Sequence, residues 1–168
     1  HHYRGTVSIN GVRLSDLLSD SRSDSIVLKD VRITAAGHSV PSLECSQLTL
    51  QKDRILIAMP QGQNDRPATQ RLDKFQKKDH HGVVVVLPGH ILSGVIQLPK
   101  ASVSWSGLRE SGTVQRYFGL TDVTVHNAVF RLAPQNCPLA IIQRDAVEAV
   151  ELTSAPLRET PPAEAIAT

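Results

Sequence analysis

Aromatic residues are nearly missing from this chain: one Trp, two Tyr and three Phe among 168 residues, or 4%. Any core must therefore be built from Val, Ile, Leu and Ala. Long apolar runs are missing too. The longest, Val83 to Leu87, is strand-sized, far short of the roughly 18–20 residues of a membrane helix, so no helical span is expected. Two cysteines, Cys45 and Cys137, are too few for a disulfide framework. Net charge is +2, too small to argue for nucleic acid by itself. No Gly-rich phosphate loop, Gly-x-Ser-x-Gly elbow or His-Glu-x-x-His occurs, which removes the usual sequence signatures of phosphate binding, serine hydrolysis and zinc hydrolysis. No signal-peptide pattern is present. His1 and His2 are set aside as a tag remnant or the first residues of a longer chain. The compartment stays open, leaning to the cytoplasm.

What is present is self-similarity, the feature that most changes a fold reading. Ser25-Ile-Val-Leu-Lys-Asp-Val-Arg-Ile33 lies over Tyr117-Phe-Gly-Leu-Thr-Asp-Val-Thr-Val125 at an offset of 92 residues. Both spell apolar-x-Leu-x-Asp-Val-x-apolar. The same offset carries Leu50–Ile55 onto Ile142–Val147 and Cys45 onto Cys137. Leu28, Asp30, Cys45 and Asp53 thus answer to Leu120, Asp122, Cys137 and Asp145. Upstream, Gly5–Ile9 resembles Gly82–Val86, and Gly11–Leu18 resembles Gly89–Ile96, at an offset of about 78. The second copy would then hold 14 extra residues, around Lys100 to Gln115.

Each copy reads mainly as strand. Thr6-Val7-Ser8-Ile9 alternates, and Ile26 to Ile33 is rich in β-branched residues, both strand signals. Leu48–Leu50, a Lys52-Asp53 turn and Ile55–Ile57 read as a hairpin, repeated by Ala140–Ile142, Arg144-Asp145 and Val147–Leu152. Leu14, Leu17 and Leu18 have helical spacing and predict a short helix. Their counterpart, Ile91–Ile96, contains Gly94 and β-branched residues and is more strand-like. Ala101–Trp105 alternates and predicts an added strand paired with Thr113–Tyr117. The expected fold is mainly all-β: two tandem small β-barrel or β-sandwich units with one or two short helices. The units are residues 1–59 and 82–152, joined by a polar linker over 60–81 in which Ala68–Lys78 could form a helix. That linker sets Arg66, Arg71, Lys74, Lys77 and Lys78 against Asp65, Asp73 and Asp79, a solvated pattern. The Pro-rich tail, 153–168, buries nothing by itself.

The second copy resembles the small SH3-like barrels, and among them the Sm-like unit. The resembling residues are Val83–Leu87, then Pro88-Gly89-His-Ile-Leu-Ser-Gly94, then Phe118-Gly-Leu-Thr-Asp122-Val, then Ile141-Ile-Gln-Arg144-Asp145-Ala-Val147. Over about 70 residues per copy they follow that family's order of strands and turns. The resemblance implies a small SH3-like β-barrel. The family's Asp-x-Met-Asn pocket signature does not occur, and its late Arg-Gly turn is Arg144-Asp145 and Lys52-Asp53 here. No RNA-binding residues carry over.

Asp30 and Asp122 are the most site-like carboxylates, since a pair meeting across an interface could exchange protons. The simpler reading is a strand end or turn in each copy. Cys45 and Cys137 could pair, share a metal or supply a nucleophile, but no activating base stands at recognisable spacing. Buried small hydrophobes are the better reading. His38, His80, His81, His90 and His126 lack metal-site spacing. No catalytic, cofactor or metal residues are assigned. Trp105, Tyr117 and Arg158 are candidate partner contacts. The expected function is a non-enzymatic interaction or structural module, an accessory subunit that binds protein partners or itself. Two rivals stand beside it. One is a nucleic-acid binder using Arg13, Arg32, Arg54, Arg109, Arg116, Arg131 and Arg144. The other is a ligand-binding or catalytic pocket between the copies.

Overall fold

The leucine spacing near residue 14 and the Leu-x-Asp-Val phrases each produce one element of the fold. The computed structural model describes residues 1–35, 42–61, 78–99, 105, 115–127 and 133–153. In chain order they form β1 (His2–Thr6), α1 (Leu14–Ser19), β2 (Ser25–Thr34), β3 (Leu43–Gln51), a 3-10 turn (Lys52–Arg54) and β4 (Ile57–Ala58). Then come β5 (Lys78–Leu87), β6 (His90–Pro99), β7 (Tyr117–Asn127), β8 (Gln135–Gln143), a second 3-10 turn (Arg144–Ala146) and β9 (Ala149–Thr153). The chain is mainly β, as its composition predicts. One sheet has the order β1-β2-β3, the other β4-β8-β7-β6-β5-β9. Every pairing is antiparallel. Among the described residues neither sheet closes into a barrel. No described helix is long and apolar enough to cross a membrane.

The offset of 92 reappears in the strand register. Val31 pairs with Cys45 and Lys29 with Gln47; Val123 pairs with Cys137 and Thr121 with Leu139. Both β2 and β7 change phase at one residue, Asp30 or Asp122, whose φ is 51° or 53°. Ahead of it Leu28 or Leu120 faces inward, and after it Val31 or Val123 does. A strand's period of two would send one of these outward. The left-handed aspartate absorbs the extra residue, forming a β-bulge. Asp tolerates that conformation better than most residues because its short side chain bonds locally.

The neighbouring strand must make room. Arg4 pairs with Arg32 and Thr6 with Lys29, leaving Gly5 opposite Asp30 and Val31. Ser93 pairs with Thr124 and Val95 with Thr121, leaving Gly94 opposite Asp122 and Val123. A Cβ on Gly5 would sit 2.8 Å from the Lys29 carbonyl oxygen, and one on Gly94 would sit 3.0 Å from that of Thr121. By sheet position Gly5 therefore answers to Gly94. This corrects the upstream alignment of Gly5–Ile9 with Gly82–Val86. Gly11 and Gly89 do share a left-handed backbone, at φ 78° and 72°, yet a helix follows the first and a strand the second.

The two hairpins read from Leu48–Ile57 and Ala140–Leu152 are also corrected. Each 3-10 turn redirects the chain, so β4 pairs with β8 and β9 pairs with β5. The turns are anchored alike: Lys52 N–H donates to the Asp24 carbonyl and Arg144 N–H to that of Arg116, both at 2.8 Å. β5 begins at Lys78, inside the stretch read as linker. The proposed helix at 68–78 otherwise lies outside the described residues. So do most of the inserted hairpin and the tail beyond Thr153.

Two cores result. Val83, Val85, Leu87, Leu92, Leu120, Val123 and Ile142 lead the larger. The smaller joins Leu14, Leu18, Ile26, Leu28 and Val31 to Tyr117 and Ile141 from the distal half. α1 has only six residues and no side-chain cap, so it owes its stability to packing. Leu14 and Leu18, one turn apart, are its buried positions. Tyr117 fastens the halves. Its backbone N–H donates to Ser19 Oγ at 3.1 Å, and its hydroxyl reaches the carbonyl oxygens of Lys52 and Ile55, 3.0 Å from the latter. Lys52, buried beside it, donates from Nζ to the Asp20 carbonyl at 2.9 Å.

Adding a methyl at the bulge should be costly. Gly94→Ala is expected to lose about 1–3 kcal/mol by overpacking, read by urea unfolding. Gly119→Ala, whose Cβ would meet only the Leu139 Cδ1 tip at 3.3 Å, should lose under about 1 kcal/mol. Tyr117→Phe should cost about 1–2 kcal/mol through its stranded carbonyls. Burial pushes the Tyr117 hydroxyl up to about 12. Its contribution is therefore whole below the ordinary tyrosine value of about 10 and declines as pH rises from there through about 12. Tyr117→Phe should flatten that alkaline decline in stability.

Candidate functional site

Each bulge opens a shallow cleft beside it. One, of about 390 Å³, is lined by Asp122, Val123, Thr124, Asn136, Cys137 and Pro138. The other, of about 580 Å³, is lined by Asp30, Val31, Arg32, Glu44, Cys45 and Ser46, with Arg4 added from β1. Six lining positions correspond one to one at the offset of 92. The backbone kink builds both clefts, because the bulged strand bends away from its partner.

Their chemistry differs. In the Asp30 cleft Arg32 donates from Nε and Nη2 to Glu44 Oε1, at 2.9 and 2.7 Å. At the matching cross-strand position Thr124 Oγ1 donates to Asn136 Oδ1 at 2.9 Å. One cleft has a charged pair where the other has a neutral one, each fixing the two strands locally.

Asp30 and Asp122 lie in separate clefts that share no residue, so the structure does not join them into one acid pair. Their placement follows from backbone shape. Cys45 and Cys137 are both free thiols, half-buried at matching positions. Cys45 packs against the smaller core and Cys137 against the larger. Burial pushes the Cys137 thiol up, away from the thiolate a nucleophile needs. Asp53 and Asp145 sit in the 3-10 turns, beside Arg54 at 3.8 Å and Arg144 at 3.0 Å. Among the described residues, no group of three or more His, Cys, Asp or Glu side chains could hold a metal.

Of the three candidate partner contacts, Tyr117 is buried between the halves and is not an open contact. Trp105 packs on Phe118 with ring centroids 5.2 Å apart and covers the larger core. Arg158 lies outside the described residues. The roles of Gly5 and Gly94 opposite the bulges, and the burial of Lys52, escaped the sequence reading. A lone glycine within a strand was the available signal for the first two; nothing local marks Lys52 as buried.

Apolar side chains are exposed at Val12 and Ile91 and, most of all, on the three-stranded sheet. Tyr3, Ile33 and Leu43 form one cross-strand row. Ile33 packs on the smaller core, so the row belongs to the inward face. Yet Tyr3 is 45% and Leu43 65% exposed. The matching row of the larger sheet is Leu92, Val125 and Gln135. There Leu92 is 0% and Val125 6% exposed, and the third member, Gln135, is polar and exposed.

No family model, curated protein or solved structure matches the chain.

The bulge aspartates separate a backbone role from carboxylate chemistry. Asp122→Val, forcing a β-branched residue into the left-handed region, should lose about 1–3 kcal/mol. Asp122→Gly should stay within about 1 kcal/mol of the parent, because glycine adopts that φ freely. Thermal and urea unfolding of the two variants make the comparison.

Proposed function

We propose that the chain is a tandem duplication of an SH3-like or Sm-like β unit that works as a non-catalytic protein-interaction or structural module, an accessory subunit of a larger assembly. The shared register, the paired bulges and the twin 3-10 turns support the duplication. The distal unit runs β5-β6-β7-β8, a 3-10 turn, then β9 returning to pair with β5, an order that supports the SH3-like reading. One observation carries the interaction role: Tyr3 and Leu43 present apolar side chains to solvent, whereas their counterparts in the larger sheet are the buried Leu92 and the polar, exposed Gln135. Apolar surface that is buried in one unit and bare in its sister is a natural place for a protein to dock.

The arginines favour this reading over a nucleic-acid binder. Arg22, Arg32, Arg54 and Arg144 each stand beside a carboxylate. The Arg22 guanidinium holds the Asp20 carboxyl down at about 2. Carboxylates so placed repel phosphate.

The test is affinity capture from the source cell, comparing the full chain with Tyr3→Lys/Leu43→Lys after circular dichroism has shown the variant folded. A discrete set of proteins, or self-association, that the variant loses is the expected result. Retention of nucleic acid alone, falling steeply with salt, would contradict the proposal. So would a partner set indifferent to both substitutions.

A further inference from the structure

Taking the chain as an interaction module, and so resting on the proposal above, we infer that the outer edge of β1 is a strand-acceptor site for an extended segment of a partner protein. The larger sheet shows what belongs there. β1 stands to β2 as β6 stands to β7: Tyr3, Arg4 and Thr6 hold the places of Leu92, Ser93 and Val95, with Gly5 and Gly94 facing the bulge. Beyond β6 lies β5, antiparallel, with Val83 opposite Gly94, Val84 opposite Ser93 and Val85 opposite Leu92. Val83 and Val85 point into the core and are fully buried, and Leu92 is sealed beneath them. Beyond β1, among the described residues, no strand is paired. All five residues of β1 are exposed.

The geometry specifies the guest. It runs antiparallel to β1 and places one apolar side chain opposite Gly5 and a second, two residues on, opposite Tyr3. These complete the inward face over Tyr3 and Ile33. The residue between them lies opposite Arg4 on the outer face. Arg4 is flanked by Arg32 in the pairing, and Arg32 is already engaged by Glu44. Among the described residues no carboxylate pairs with Arg4. An acidic residue there is the complementary choice, giving the pattern apolar-acidic-apolar. Main-chain hydrogen bonds would supply affinity and the alternate side chains specificity, as in other strand additions. An exposed edge of this kind is a template for such pairing.

The peptide Asp79–Gly89 of this chain is a ready probe, since it contains β5. Its Val84→Glu form should bind the full chain saturably by fluorescence anisotropy, about fivefold tighter than its Val84→Lys form, as expected for one cross-strand charge pair. Arg4→Glu in the protein should reverse that order. Hydrogen exchange of the unaltered protein should show new protection at residues 2–6 on adding the Glu peptide, a readout that does not depend on any variant folding. No saturable binding, protection elsewhere than β1, or indifference to the charge exchange would overturn the acceptor site. If cellular partners are nevertheless lost on Tyr3→Lys/Leu43→Lys, the interaction module survives and only strand addition fails. If the peptide binds β1 but no cellular partner depends on that face, the module reading fails instead.

Discussion

The structure depends on one local contradiction and its resolution. A strand alternates sides, yet Leu28 and Val31, three residues apart, must both face inward, as must Leu120 and Val123. A single left-handed aspartate reconciles them. The solution crowds the adjacent strand, which therefore presents glycine. Register, inward phase and the position of each cleft follow from this pairing of Asp with Gly. Because the bulge pins register, it also protects against a one-residue slip that would turn the apolar face to water.

A second constraint ties the halves together. Each 3-10 turn carries its following strand away from the strand before it; the second sends β9 to the far edge of its own sheet, and the first donates β4 to the edge of β8 in the other. Tyr117 and Gln143 then close the joint: Gln143 N–H donates to the Leu56 carbonyl at 3.0 Å and its Nε2 to that of Asp53 at 3.2 Å. The smaller core is thereby completed by Tyr117 and Ile141. The halves share a core at this joint, while Tyr3 and Leu43 on the three-stranded sheet stay exposed among the described residues. That asymmetry, Leu92 buried in one sheet and Tyr3 open in the other, is the source of the functional proposal.

Much of the β architecture was legible from local pattern. The Leu-x-Asp-Val phrase fixed two strands and their common register, and the spacing of Leu14, Leu17 and Leu18 identified α1. Those signals are local, set by period and by turn chemistry. Strand partners were not legible where they depend on direction in space. Lys52-Asp53 and Arg144-Asp145 look like hairpin turns, but the sequence does not say that the next strand pairs elsewhere, β4 with β8 and β9 with β5. The matching of Gly5 to Gly82 failed for a related reason: strings of small and β-branched residues align readily, whereas only the bulge shows which glycine is sterically required. As for the clefts, Asp and Cys could be named beforehand, but their separation into two sites needed the sheet order. The exposed row was hidden because Tyr3, Ile33 and Leu43 are distant in sequence and meet only across strands.

The claim on which everything rests is that Asp30 and Asp122 make the same left-handed bulge in two sheets of matching register. Solution NMR reads it directly, through the φ-dependent couplings of the two aspartates and the cross-strand contacts around them. The account predicts positive φ at both, with Val31 contacting Cys45 and Val123 contacting Cys137. Extended φ at either aspartate, or a register in which the two valines face residues other than those cysteines, would contradict it.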